Sequence, residues 1–190
     1  MVWCIGVVHS ISSIDVMKWI LVHSRVAILS CLLVCFHFQF PCFSSAIACP
    51  SCQKGWVVST DPLNQSAPWQ CRSCQLCVSA QDVMRLDSKL IEELSRVNRA
   101  KTDNLEKFHA AYTPHLHPNH SFLMQLKQWM FEAYGKQVQE ATSSIPIAPE
   151  SYQEVTEWIR RAVQLGDELL AVFDKVEAEL SFIRGIEEIF

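Results

Sequence analysis

Residues Cys49–Cys74 read "CPSCQKGWVVSTDPLNQSAPWQCRSC". Two Cys-x-x-Cys pairs, Cys49/Cys52 and Cys71/Cys74, bracket a loop of 18 residues. Each pair can put two sulfurs on one side of an ion, and a return loop of about 15–20 residues brings the second pair to the opposite side. Four thiolates in a tetrahedron suit Zn²⁺ and close its shell, with no position left for water or substrate. Cys49, Cys52, Cys71 and Cys74 are therefore read as ligands of a structural Zn²⁺ in a zinc ribbon or knuckle. The loop supports a compact return: Gly55, Asp61-Pro62 and Pro68 are turn formers. Its piece "WVVST" at 56–60 favours a short strand. Trp56 and Trp69 are read as packing residues over the metal turns.

Two disulfides in a secreted protein are the competing reading of the same four thiols. Small disulfide frameworks are short and loop-rich, whereas a long helical pattern follows here. A thioredoxin-like redox centre lacks its βαβ context. Cys77, in "CRSCQLC", could substitute as a ligand but is read as a small, partly buried residue.

The whole chain has 190 residues, room for one ordinary domain or one domain plus a small module. Hydrophobic residues make up 49% and the formal net charge is −4, a balance that suits a folded protein. It argues against a nucleic-acid-binding surface, which is ordinarily basic. Only five glycines occur, and no Gly-x-Gly or Walker pattern is among them, so a phosphate-cradling loop is not expected. No Gly-x-Ser-x-Gly or His-Glu-x-x-His occurs either.

Charge is unevenly spread. Residues 1–48 carry only Asp15, Lys18 and Arg25 as charged side chains, together with Cys4, Cys31, Cys35 and Cys42. The run "VAILSCLLVCF" at 26–36 follows two basic residues and precedes small ones at 42–46, which resembles a secretory signal. It is too short to span a bilayer, which takes about 20 apolar residues. Residues 1–46 are thus expected to be a signal-like leader or a mis-joined segment foreign to the mature protein, the second being favoured.

Beyond Cys77 the periodicity is helical. Ser79 with Asp82 resembles a capping box, and Val83, Leu86, Leu90, Leu94 and Val97 form one apolar face, predicting a helix over about 80–99. A second, shorter helix carries Leu105, Phe108 and Tyr112 and stops at Pro114. The third is expected over about 120–134, with Asn119 as N-cap and Gly135 just past its end. Residues 137–150 read as a polar linker. Ser151 and Glu154 then cap a fourth helix with Val155, Ile159, Val163, Leu170, Phe173 and Val176 on one face. A short last helix bears Leu180, Ile183 and Ile186. The expected fold is mainly α, a helical-hairpin (TPR-like) domain over 79–190 behind a small zinc module over 47–78.

His115, His117 and His120 lie close in sequence, but Pro114 and Pro118 break the geometry that would present them together. They are read as part of a turn leading into the third helix rather than as metal ligands.

Taken in order, "CPSCQKGWVVSTDPLNQSAPWQCRSC", "SAQDV" and "FHAAYTPHLHPNHSFLMQLKQWMFEAYG" resemble the C-terminal part of the SET-and-MYND-domain (Smyd) proteins, most closely the arthropod SmydA branch. "RRAVQLGDELLAVFDKVEAELSFIRG" is similar to a later helix pair there, so the resemblance covers about residues 47–185. It implies protein-lysine methylation with S-adenosylmethionine as donor, protein substrates of histone or non-histone type, and a cytoplasmic or nuclear location. The chain itself carries no MYND finger and no SET cofactor motif in place. "NHS" at 119–121 resembles part of a SET motif but opens a helix, with Phe122 where that motif has cysteine. The expectation is a C-terminal piece that binds Zn²⁺ through its four cysteines, positions protein substrates, and neither binds S-adenosylmethionine nor catalyses alone. Two departures stand out: Gln75 occupies a knuckle position where glycine is usual, and Ala178 stands where proline often separates the last helices. The first is expected to loosen the second metal turn, the second to let those helices fuse. The alternative is a secreted or membrane-anchored disulfide protein with a helical binding domain.

Overall fold

In the computed structural model of the chain, the described residues are 45–61, 63–143 and 152–187. Residues 1–44 of the leader expected over 1–46, and the capping residue Ser151, lie outside them. The described part is mainly helical, with one small sheet.

Four short strands, β1 (Ile47–Ala48), β2 (Trp56–Ser59), β3 (Trp69–Cys71) and β4 (Cys77–Val78), form an antiparallel sheet in chain order. Alternation sets the register. Val57 pairs with Ile47 on one side and Cys71 on the other, which stacks these three residues across the sheet. Val57, Cys49 and Cys71 are fully buried, with Ile47, Cys52, Trp69, Leu76 and Val78 packed around them. The cysteines thus stand on an apolar floor.

The β2–β3 loop is held by its own polar groups. Thr60 donates to the Pro68 carbonyl through both its backbone N–H (3.0 Å) and its hydroxyl (2.8 Å). Asp61 and Asn64 accept from the N–H groups of Leu63 and Ser66, two Asx turns in succession.

Helix α1 (Ala80–Arg96) begins where expected. The Ser79 hydroxyl accepts from the Asp82 N–H at 3.1 Å and donates to the Asp82 carboxylate at 2.7 Å. This differs from the full capping box, in which the carboxylate reaches the cap's own N–H. Val83 and Leu90 are buried on its inner face. The helix stops at Arg96 rather than near 99, because Asn98 turns the chain: its side chain accepts from Ala100 N–H at 3.0 Å. Helix α2 (Thr102–Tyr112) follows, with Leu105 fully buried. Tyr112 donates to Glu93 of α1, and Phe108 and Tyr112 stack on Phe122 with centroids 6.0 and 5.2 Å away.

Helix α3 (Ser121–Ser143) departs from expectation at both ends. Its first turn is capped by His120 and not Asn119: the His120 Nδ1 accepts from Phe122 N–H at 3.2 Å, and its carbonyl accepts from Met124 N–H. Gly135 does not end the helix. A helical glycine costs about 1 kcal/mol relative to alanine, but Gly135 has no positive φ and lies buried in mid-helix. Packing beyond it decides the outcome, since Val138, placed in the expected linker, is buried with Val155 and Ile159. The first half of the expected linker, residues 137–143, is therefore helix.

Helix α4 (Tyr152–Glu187) is one continuous element where two were expected. Without proline at 178 nothing removes a backbone donor there, and the fusion anticipated from Ala178 is what forms. Val155, Ile159 and Leu170 are buried as the periodicity predicted. The side chains of Phe173, Val176, Leu180, Ile183 and Ile186 lie outside the described residues.

Compactness divides the described chain within α3, between Trp129 and Met130. The first unit holds the sheet, α1, α2 and the start of α3. There Arg99 lies 3.7 Å above the Trp129 ring, a cation–π contact. In the second unit Arg161 donates to the Tyr134 hydroxyl at 3.0 Å and to Glu157 at 2.8 Å. Hydrogen bonds from Arg160 and then Arg161 hold the Glu157 carboxyl down to about 2.

Candidate metal centre

Each Cys-x-x-Cys pair closes a tight turn of the same form. In the first, Gln53 N–H donates to the Cys49 carbonyl at 3.0 Å; in the second, Gln75 N–H donates to the Cys71 carbonyl at 3.1 Å. The fifth residue of each turn takes a left-handed backbone, with φ of 53° at Gln53 and 63° at Gln75. That conformation costs a non-glycine residue about 1–2 kcal/mol. It bends the chain so that successive N–H groups point back at the sulfurs. Gln75 therefore holds the second turn in the same geometry as the first.

The N–H groups fall on three of the four sulfurs. Cys71 Sγ accepts from Ser73 N–H at 3.4 Å and from Cys74 N–H at 3.5 Å. Cys52 accepts from the N–H groups of Lys54 and Gly55, and Cys74 from that of Leu76. Such donors stabilise charge on sulfur and orient it, the usual outer-shell contribution to a metal site.

Antiparallel pairing of β2 with β3 then brings the turns face to face. Cys49 Sγ lies 3.5 Å from Cys74 Sγ, and Cys52 Sγ lies 3.7 Å from Cys71 Sγ. All four ligand atoms lie within 4.8 Å of one another. A tetrahedral ion with metal–sulfur bonds of about 2.3 Å separates its ligands by about 3.8 Å, so the four sulfurs fit around one ion. A disulfide needs about 2.05 Å, and all five described cysteines are free thiols. Four closely spaced cysteines that can hold a metal ion are the functional feature of the described chain.

Gly55 is part of this arrangement for a steric reason. A Cβ placed on it would come within 2.4 Å of Ser73 Oγ and 2.8 Å of Cys71 Sγ. The two turns approach each other only because that position is bare. The sequence marks Gly55 merely as a turn former, whereas its backbone φ is not positive. Close approach, which no local pattern reveals, sets its role.

The four thiols are electrostatically unequal. Hydrogen bonds led by Lys54 N–H outweigh desolvation and bring Cys52 down to about 6. The N–H groups of Cys74 and then Ser73 also lower Cys71. Cys74 goes the other way: Leu76 N–H favours its thiolate, but desolvation and the sulfurs of Cys49, Cys71 and Cys52 prevail, pushing it up to about 11. Cys52 and Cys71 thus favour the thiolate and Cys74 the thiol. Exposure follows another pattern: Cys49 and Cys71 are buried, Cys52 is half-buried, and Cys74 and Cys77 are exposed. Cys77, expected to be partly buried, instead presents its thiol on β4 with Gln75 O 3.6 Å away.

The tryptophans divide their work. Trp69 packs against the apolar floor beneath the sulfurs. Trp56 meets the His117 ring edge-on, with centroids 4.8 Å apart. His117 also accepts from Asn119 N–H through Nδ1 at 3.1 Å, and partial burial lowers its pKa. His115 contributes its carbonyl to Ala48 N–H at 2.8 Å. Together with an antiparallel bridge between Ile47 and Leu116, these contacts dock the α2–α3 loop on the β1 edge. Among the described residues only the four cysteines form a group of three or more such side chains in metal reach, and no histidine joins it.

No protein-family model matches this chain, and no characterised protein matches it at a significant level. Among the described residues no helix is long and apolar enough to cross a membrane.

Proposed function

We propose that this chain is the zinc-bearing helical region of a SET-and-MYND methyltransferase-like protein, with a structural and protein-substrate-positioning role and no catalysis of its own. The observation that carries the metal part is the pair of matching Cys-x-x-Cys turns whose four sulfurs lie within 4.8 Å. Zn²⁺ is the occupant because four thiolates at tetrahedral spacing suit it. With its shell closed, it would supply folding energy and rigidity rather than an activated water. Cys49, Cys52, Cys71 and Cys74 hold it.

The family part rests on the ordered motifs of residues 47–185 alone. The net charge of −4 is compatible with the role, because lysine-rich histone or other protein segments carry the opposite sign. S-adenosylmethionine belongs to the catalytic region of such proteins and is not expected to bind here, and a cytoplasmic or nuclear site follows from the same resemblance.

Elemental analysis of purified chain should find one zinc. Cys71→Ser should lose it together with ordered structure over residues 49–78. Metal-free protein that keeps this fold would overturn the metal role. A lysine-bearing histone-tail peptide titrated onto the zinc-loaded chain should bind without methyl transfer, and failure of basic peptides to bind would remove the positioning role.

A further inference from the structure

The four ligands differ in how well the fold shields them, and a fifth thiol follows the least shielded by three residues in the chain. Cys49 and Cys71 are 1% and 0% exposed. Cys52 is half-buried and takes two backbone N–H donors. Cys74 is exposed and receives one, from Leu76. Three residues on, Cys77 is exposed as well and outside the ligand set.

We propose that Cys74 and Cys77 form a thiol-modification site that reacts with small-molecule disulfides and thereby opens the metal clip. The proposal rests on the zinc reading above. Zinc-bound cysteine is a thiolate, and the thiolate is the nucleophile in disulfide exchange. Every ligand is a thiolate in the loaded site, so access selects among them, and access favours Cys74. The spacing Cys74-Gln75-Leu76-Cys77 is that of dithiol/disulfide pairs, in which a second thiol resolves the first.

The chemistry balances as two exchanges. Cys74 Sγ attacks one sulfur of a disulfide RSSR; the S–S bond breaks, a mixed disulfide forms on Cys74, and RS⁻ leaves. Cys77, giving up its proton to that RS⁻, then attacks Cys74 Sγ and expels the second RS⁻. The Cys74 thiolate and the Cys77 thiol lose two electrons and RSSR gains them, becoming one thiol and one thiolate that takes its proton from water. Zn²⁺ retains three ligands and dissociates. Reduction of the new disulfide by a dithiol restores the site.

Burial decides which ligand the reagent meets first. Cys49 and Cys71 sit on the apolar floor with Val57, so a reagent reaches them only after the clip has opened. The left-handed Gln75 lies within the proposed disulfide loop. Release of the metal frees that residue from a conformation unfavourable for its side chain.

Zinc-loaded chain, its metal content established first, is exposed to oxidised glutathione while zinc release is followed with a chromogenic chelator. Disulfides are then mapped by peptide mass spectrometry. The expected result is a Cys74–Cys77 disulfide appearing together with released zinc. Cys77→Ser should load one zinc, accumulate glutathione on Cys74, and release metal about tenfold more slowly because the resolving step is gone. Absence of zinc before the oxidant is added overturns the metal reading and this proposal with it. Loaded protein that releases zinc at the same rate in Cys77→Ser, or whose first disulfide joins other cysteines, overturns the proposal. So does loaded protein whose zinc is retained while Cys74 remains unmodified.

Discussion

Gly55 faces Cys71 across the clip so closely that a Cβ on Gly55 would stand 2.8 Å from the Cys71 sulfur. The nearer obstacles are Ser73 Cβ at 2.7 Å and Ser73 Oγ at 2.4 Å, so the side chain of the second turn must move if residue 55 gains one. Gly55→Ala should therefore push residues 71–74 away from Cys49 and Cys52. Zinc affinity should fall about 10- to 100-fold, the range for damage just outside a ligand shell. Competition with a chelator of known affinity measures it. Gly55→Ala combined with Ser73→Gly should recover part of the loss.

The left-handed residues offer the opposite experiment. Gln53→Gly and Gln75→Gly each remove an αL penalty of about 1–2 kcal/mol, offset by the larger backbone entropy of glycine in the unfolded chain. A net gain of up to about 1 kcal/mol per site is expected, read as a higher denaturant midpoint of the zinc-loaded protein. Gln75→Val should lower the midpoint, since a β-branched residue fits that backbone worst.

Metal uptake should release protons in a pattern set by the unequal thiols. Cys52, held down to about 6, is already a thiolate at pH 7.5 in metal-free protein, while Cys74, pushed up to about 11, is protonated. The sign follows directly: binding displaces the Cys74 proton, so affinity rises with pH through the neutral range. Below about 6 Cys52 must lose its proton as well, and the pH dependence steepens. Calorimetry of zinc binding in buffers of different ionisation enthalpy counts the protons. A pH-independent affinity between 7 and 8 would contradict this order.

Helix α1 should depend measurably on one hydroxyl. Ser79→Ala removes the acceptor for Asp82 N–H and should cost about 1 kcal/mol. Ser79→Asp should restore most of it in capping terms, although the neighbouring Asp82 carboxylate lies close enough to repel the new charge. Urea unfolding of the three proteins separates the two effects.

Much of this molecule was legible in the chain because it is local. The cysteine spacing named the four sulfurs that gather, Ser79 named the start of α1, and Val155, Ile159 and Leu170 named the buried side of α4. What sequence reasoning misplaced depends on contacts between distant residues. Gly135 and the segment after it look like an ending until Val138 is seen packed with Val155 and Ile159. His120 reads as a loop histidine, and its capping of Phe122 N–H shows only in three dimensions. Gln53 carries no glycine or asparagine signal, so its left-handed backbone could not be foreseen from residue type.

The bridge between Ile47 and Leu116 has a topological meaning apart from its two side chains. It joins the start of the sheet to the middle of the α2–α3 loop, enclosing the clip, α1 and α2 between them. The clip is therefore a small closed circuit inside a larger one, and strand β1 leads directly into it. Chain entropy rewards closing the small circuit first, since the shorter loop costs less to tie. The outer closure can then form on an edge already in place. Metal captured by residues 49–74 would in that way lower the entropic cost of a contact made forty residues later, by about 0.4 kcal/mol on loop-length scaling, without touching it.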